Sequence, residues 1–337
     1  LAAITIDDVA ARAGVSIKTV SRVLNREPHV RPATRDRVLA AVDLLNYRPN
    51  ASARALAGSR SYLVGLFFDN PSPGYNSQIE QGAMSACRDA GYFLLVEQLP
   101  ETGAALRERV AALLSAVRMD GVILTPPLCD RTELLDALAG EGVPCVRIAP
   151  TIDLGRSPFV YMDDRRAAYE MTVHLQGLGH RDIAFITGPA DHRAAANRRE
   201  GFEQAMRDAG LPVRPERVRQ GAFSFLSGWE CAEQLLDSAD RPTAIFAGND
   251  DMALGVMAVA NRLHIDIPGT LSLAGFDDSP GAQVVWPQLT TVRQPVAQMA
   301  QVAAALLTGA PPDRDAARGR QLDFEIVVRQ SSAVRGG

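Results

Sequence analysis

The sequence predicts two architectures in one chain. The first is an N-terminal all-α helix-turn-helix headpiece followed by a short hinge helix. The second is an α/β body of two lobes built on parallel sheets. Three observations predict this. Residues 5–25 read as two short helices around a tight turn. From Ser61 onward, buried-strand and helix patterns alternate in two successive series, as repeated βα units do. Charge is also shared unequally: residues 1–60 carry ten Lys and Arg against five Asp and Glu, about +5, in a chain of net charge −4, leaving about −9 for the rest. A small basic head on an acidic body suits nucleic-acid contact at one end only. At 337 residues the chain is too long for one core and suits two or three domains.

The headpiece elements follow from local chemistry. Thr5 with Asp8 three residues on resembles a capping box, Asp replacing the usual Glu or Gln. Val9, Ala10 and Ala13 recur at helical spacing and give the first helix a buried face. Gly14 ends it, because glycine takes positive φ without strain. Ser16 is a natural N-cap for the second helix. On that helix Val20, Val23 and Leu24 face inward, leaving Ile17, Lys18, Ser21 and Arg22 outside. Lys18 is the only lysine in the chain. A helix-turn-helix needs this division, since its second helix presents polar and basic groups to a major groove. Pro32 can open a third helix without an N–H. That helix runs to about Leu45, with Val38, Val42 and Leu45 on one face, and Asn46–Pro49 breaks it. The Ala-rich stretch Asn50–Gly58 is too short to be a stable helix alone. It suits a segment that orders when two copies pack on DNA.

In the body, Tyr62–Asp69 is a continuous apolar run, as expected for a strand buried on both faces. Residues 76–90 have helical periodicity and end at Gly91. Strands follow near 92–97, 121–126 and 144–149. A second series opens near Phe159, with strands near 182–187, 216–220, 243–248 and 271–276. In such folds ligands bind beyond the carboxyl ends of the strands. The polar residues there are Asp69 and Asn70, Asn249 and Asp250, and Asp277 and Asp278. Asp250 and Asp278 also suit capping of the helices that follow, and Tyr75 suits either a lid or a surface aromatic.

Other function classes lack their motifs. Cys87, Cys129, Cys145 and Cys231 are scattered, without a CxxC or a Cys/His cluster, so neither zinc nor disulfides are expected. No GxxxxGK[ST] loop or GxSxG elbow occurs. Gly177-Leu178-Gly179-His180 lacks a third glycine and precedes a strand, so His180 is expected to cap or bridge a turn. The adjacent pairs Asp163–Asp164 and Asp277–Asp278 have diverging side chains and do not form a glycosidase or metal constellation. No catalytic residue, cofactor or metal is expected. No apolar run approaches a membrane span, and no signal-peptide pattern precedes the first helix. The expectation is a cytoplasmic, nucleoid-associated protein without membrane contact.

Two long motifs, DVAxxAGVSxxTVSRVLN and RVLAAVxxLNYRPNxxARxLA, make residues 4–58 resemble the headpiece and hinge of the lactose/galactose repressor family of bacterial transcription regulators. GPxxxxxxxxRxxGF, FAxNDxMALG, LSLAGFDDS and LTTVRQP extend the resemblance through the body. The family implies a homodimer on a palindromic operator and a body folded like periplasmic sugar-binding proteins (type I). The division it implies is a headpiece at 1–49, a hinge helix and linker at 50–60, and an effector-binding domain at 61–337. Within that domain the N-lobe takes about 61–161 and 292–321, and the C-lobe about 162–291 and 322–337. A helix near 296–308 returns to the first lobe, and Gln321–Gln330 crosses back to the second.

The resemblance places Ile17, Lys18 and Arg22 at base edges, and Leu56 where the hinge helix wedges into the minor groove. Lys and Arg can donate to guanine O6/N7, and Ile17 can touch a thymine methyl. Thr5, Ser16, Thr19, Ser21, Asn25, His29 and Thr34 fall where side chains bond the DNA backbone or support the helix. In the body, Arg198 falls at the family's ligand-clamping arginine and Phe223 at its stacking aromatic. With Asp69, Tyr75, Asn249 and Asp277 they form the expected effector site. Carboxylates accept from sugar hydroxyls, Arg and Asn donate, and an aromatic face covers the C–H side. One departure is Ala149, where several sugar-responsive members carry Asp. The function implied is a repressor of carbohydrate-utilisation genes released by a sugar or oligosaccharide. Alternatives are a purine-type corepressor response and, disfavoured by the headpiece, a sugar-transport binding protein. The chain ends without a leucine heptad, so a dimer is expected.

Overall fold

Two local devices fix the first helix, α1 (Ile6–Ala13). The Thr5 Oγ1 accepts from the Asp8 N–H, and the Asp8 carboxylate accepts from the Thr5 N–H at 2.8 Å. At the other end Gly14 sits at φ 65°, its N–H turned back to the carbonyls of Ala10 and Ala11. The turn leads to α2 (Ile17–Leu24), where the Ser16 Oγ accepts the Thr19 N–H at 3.3 Å. α3 (Pro32–Leu44) opens on proline and stops one residue short of the expected Leu45. Val9, Val20, Val23 and Val38 fill the small core among these helices. In this computed structural model, residues 4–24, 29–47, 60–237, 240–309 and 319–335 are described. The chain divides into two units, Leu1–Tyr62 and Leu63–Gly337.

Among the described residues the second unit contains two six-stranded sheets. The first lobe begins with β1 (Leu63–Phe68), α4 (Pro73–Asp89), β2 (Phe93–Gln98), α5 (Gly103–Ala116), β3 (Gly121–Leu124), α6 (Thr132–Gly140), β4 (Cys145–Ile148) and β5 (Phe159–Tyr161). The chain then enters the second lobe through α7 (Asp164–Gly177), β6 (Ile183–Thr187), α8 (Arg193–Asp208), β7 (Val218–Gln220), α9 (Phe225–Leu236), β8 (Ala244–Ala247), α10 (Asp250–Arg262), β9 (Ser272–Asp277), α11 (Pro280–Val284) and β10 (Thr290–Arg293). It returns for α12 (Val296–Thr308) and β11 (Arg320–Gln321), then ends with β12 (Glu325–Val327) in the second sheet. The strand orders are β11-β5-β4-β3-β1-β2 and β12-β10-β9-β8-β6-β7. Every pairing is parallel except β10–β12. The strand at Phe159 pairs with β4, so it belongs to the first sheet and does not open the second series. An apolar run alone does not say which sheet takes it.

The central parallel strands are apolar on both faces because helices cover both. In β6, Ala184 and Ile186 pack with α9 and α10, while Ile183 and Phe185 pack with α7 and α8. Phe185 stacks on Phe202 at 4.9 Å and meets Phe246 edge-on at 5.3 Å. Truncating any of these rings to Ala costs roughly 3–5 kcal/mol. Helix pairs close on glycine. A Cβ on Gly82 would lie 2.1 Å from the Ala297 carbonyl oxygen, where α4 meets the returning α12. One on Gly201 would lie 2.1 Å from the Arg165 carbonyl oxygen, where α8 meets α7. This second contact sets the distance between the two helices that carry Asp164 and Arg198.

Candidate functional site: an interlobe cleft and an exposed helix face

Between the lobes lies a narrow cleft lined by polar and aromatic side chains. Its walls come from the carboxyl ends of strands in both sheets. Asn70, Tyr75 and Ala149 face Arg198, Phe223, Asn249 and Asp277 across it. Arg198 is 6% exposed. Its Nε donates to Asp164 at 2.8 Å and its Nη1 to the Gly248 carbonyl at 2.6 Å. The guanidinium lies 3.7 Å over the Phe276 ring and 3.9 Å from the Asp277 carboxylate. Asp277 accepts from Gln294 at 2.5 Å. Burial, offset in part by Arg198, pushes its carboxyl up to about 7. Burial also raises Asp164 despite the same arginine.

Phe223 covers one wall. Its ring occupies the space a side chain on Gly188 would need, with ring atoms 2.2 Å from such a Cβ. Asn249 holds it in place: the amide donates to the Phe223 carbonyl at 3.0 Å, and the Oδ1 caps α10 through the Met252 N–H. Phe223, Asp277, Asp278 and Ala149 all sit at positive φ. Such backbone costs about 1–3 kcal/mol per residue and concentrates at functional sites. Ser72 of the first lobe donates to Asp251 of the second at 2.6 Å, and Arg131 pairs with Asp191 at 3.0 Å. Both contacts join the lobes.

Of the expected effector residues, Tyr75, Arg198, Phe223, Asn249 and Asp277 line the cleft together, and Asp69 does not. Asp69 lies near Asp191, Glu101 and Arg131; burial first, then Asp191, raises its carboxyl. Asn70, one position on, takes the lining place. Tyr75 is 7% exposed, so the surface alternative is corrected. The capping roles of Asp250 and Asp278 are also corrected. Asp250 turns inward to the Ser279 N–H and Thr291 hydroxyl. Asp278 pairs with Arg293 and Arg329. His180 does more than bridge its turn: its ring reaches Thr243 and Ser272 at 3.0 and 2.9 Å, tying β9 to the segment before β8. Sequence reasoning missed Asp164 and His192, both in the cleft wall. Asp163 and Asp164 do diverge, since Asp163 caps α7 while Asp164 reaches Arg198.

In the first unit Ile17, Lys18 and Arg22 lie exposed on α2, opposite the buried Val20 and Val23. Thr5, Ser16 and Thr19 are engaged in the caps described above. Ser21 and Thr34 are half-buried and His29 is exposed. Asn25 and Leu56 lie outside the described residues. Among the described residues no cluster of His, Cys, Asp and Glu could hold a metal, and no helix is long and apolar enough to cross a membrane.

The model for bacterial regulatory proteins of the lacI family matches residues 5–50, and that for a periplasmic binding protein-like domain matches residues 172–332. Catabolite control protein A of Priestia megaterium is 34% identical over 312 residues, covering 90% of this chain and 92% of the relative. Among solved structures, the lac repressor dimer bound to operator and the anti-inducer ONPF is 29% identical with a TM-score of 0.76, over 98% of this chain and 99% of that one. The transcriptional regulator CelR–cellobiose complex is 29% identical with a TM-score of 0.71, over 97% of this chain and 99% of that one. Headpiece, two-lobed body and relatives agree over nearly the whole length, and the chain belongs to the lacI family of bacterial regulatory proteins.

Proposed function

We propose that this protein is a dimeric repressor of carbohydrate-utilisation genes, released from a palindromic operator in the cytoplasm when a sugar enters the interlobe cleft. The observation that carries this is the cleft wall, where Arg198, Asp277 and Asn249 stand beside the Phe223 ring. Hydroxyls are both donors and acceptors and suit such mixed partners, while the ring covers an apolar sugar face. The operator-bound lac repressor dimer and the cellobiose-bound CelR support the same reading. In this reading residues 1–49 read DNA, 50–60 form the hinge, and the body from 61 onward senses the ligand. Ile17, Lys18 and Arg22 contact base edges and Leu56 wedges the minor groove. Thr5, Ser16, Thr19, Ser21, Asn25, His29 and Thr34 contact the DNA backbone or hold the reading helix.

Coupling requires that the ligand prefer one arrangement of the lobes, since equal affinity for both shifts nothing. The Ser72–Asp251 and Arg131–Asp191 links mark contacts that such a rearrangement remakes. The test selects duplexes from a random pool, labels the best palindrome, and titrates mono- and oligosaccharides into its complex with the protein. Release by a sugar is expected. Tightening by a nucleobase, with no response to any sugar, overturns the sugar-released reading in favour of a corepressor.

A further inference from the structure

We infer that the cleft selects its effector by charge, accepting a polyhydroxylated ring without negative charge and refusing the corresponding sugar acids and sugar phosphates, because the buried carboxylates Asp164 and Asp277 share the single guanidinium of Arg198. This rests on the reading of the cleft as a sugar site. Asp164 and Asp277 are 6% and 4% exposed. Arg198 has already committed its Nε–H to Asp164 at 2.8 Å and an Nη1–H to the Gly248 carbonyl at 2.6 Å. Its charge is thus matched by Asp164 before any ligand arrives, and Asp277 remains in excess. Outside the cleft lining, Asp69 also has Asp191 and Glu101 as acidic neighbours, and the nearby Arg131 is paired to Asp191. An anion in the cleft therefore meets two buried carboxylates with one guanidinium between them. One unmatched charge roughly 6 Å away, at an effective dielectric of about 20, weakens binding on the order of a hundredfold.

Protonation offers an anion one way in. The groups that face Asp277 are Arg198 and Asp164 from α8 and α7, Asp250 and Asp251 from α10, Tyr75 from α4, and Gln294. His192 also lines the cleft, and its burial favours the neutral ring, so it supplies no compensating cation at neutral pH. An anion can then enter by protonating Asp277, and its affinity rises as pH falls through about 7. A neutral sugar needs no such proton.

The test uses the full-length protein and matched probes: glucose with glucuronate, galactose with galacturonate, and ribose with ribose 5-phosphate. Thermal shift and calorimetric titration are run at pH 6 and pH 8. The expected result at pH 8 is that every stabilising probe is neutral, with the matched anion at least tenfold weaker. Moving to pH 6 narrows that gap. Asp164→Asn releases the Arg198 charge and raises relative affinity for the acid tenfold or more. If that variant fails to fold, the wild-type pH comparison decides alone. An acid or phosphate that binds as tightly as its neutral parent at pH 8 overturns charge selection and leaves the sugar reading standing. If neither series binds at any concentration and no mono- or oligosaccharide of the wider panel releases the operator, the sugar reading itself fails, and this inference falls with it.

Discussion

Replacing Arg198 with Met tests the centre of the body. The substitution keeps most of the side-chain volume and removes the cation. Asp164, 6% exposed at its side chain, then loses both its 2.8 Å hydrogen bond and its counter-charge. Breaking a buried pair by removing one partner costs about 3–5 kcal/mol. That agrees with a unit pair about 4 Å apart at an effective dielectric of about 20, worth roughly 4 kcal/mol. For a body of this size the expected fall in Tm at pH 8 is about 10 °C. The loss is pH-dependent, and its sign is fixed. Burial already raises Asp164, with Arg198 holding it down; without the arginine the carboxyl rises further. A folded-state pKa above the unfolded value means that the native state binds the extra proton. Stability therefore falls as pH rises from about 4 through the folded pKa, by at most about 1.4 kcal/mol per pH unit for one group. Thermal melts of Arg198→Met and wild type from pH 5.5 to pH 8 measure this. The gap in Tm should shrink toward acid pH. A gap under 2 °C, or one that does not change with pH, refutes the reasoning.

Other outcomes follow from single contacts. Gly201→Ala places a Cβ 2.1 Å from the Arg165 carbonyl oxygen and forces α7 from α8. It should destabilise by about 1–3 kcal/mol, and calorimetry should show weakened cleft binding as Asp164 and Arg198 separate. Thr5→Ala removes half of the α1 capping box and should cost about 1 kcal/mol, seen as a lower urea midpoint of the first unit with the body's transition unchanged. Lys18→Ala should alter preference at one operator position by about 1–3 kcal/mol. A uniform loss across duplex sequences would instead mark a phosphate contact.

The headpiece was legible because its determinants are local. The Thr5–Asp8 box, the positive φ of Gly14 and the Ser16 cap each act within one helical turn. The body strands were legible because parallel strands between two helix layers must be apolar throughout, as β6 and β8 are. The cleft was less so. Asp164 and its neighbour Asp163 look equivalent in sequence, yet one caps its own helix while the other reaches an arginine 34 residues away. Asp69 and Asn70 both follow the first strand and Asp69 was expected in the site, whereas the end of β1 brings Asn70 into the cleft. Asp278 looked like a cap because a helix follows it. Arg293 and Arg329, both distant in sequence, take its carboxylate instead. Pairings of this length leave no periodic trace.

Control of DNA binding from the cleft is tested most directly by fluorescence anisotropy on a labelled palindromic duplex. Wild type and Arg198→Met are compared below the melting temperature of both, with and without a sugar that binds the cleft. Both proteins should grip the duplex alike without ligand, and the sugar should release only the wild type. A sugar that binds the cleft yet leaves operator affinity unchanged, or release of both proteins alike, contradicts the account.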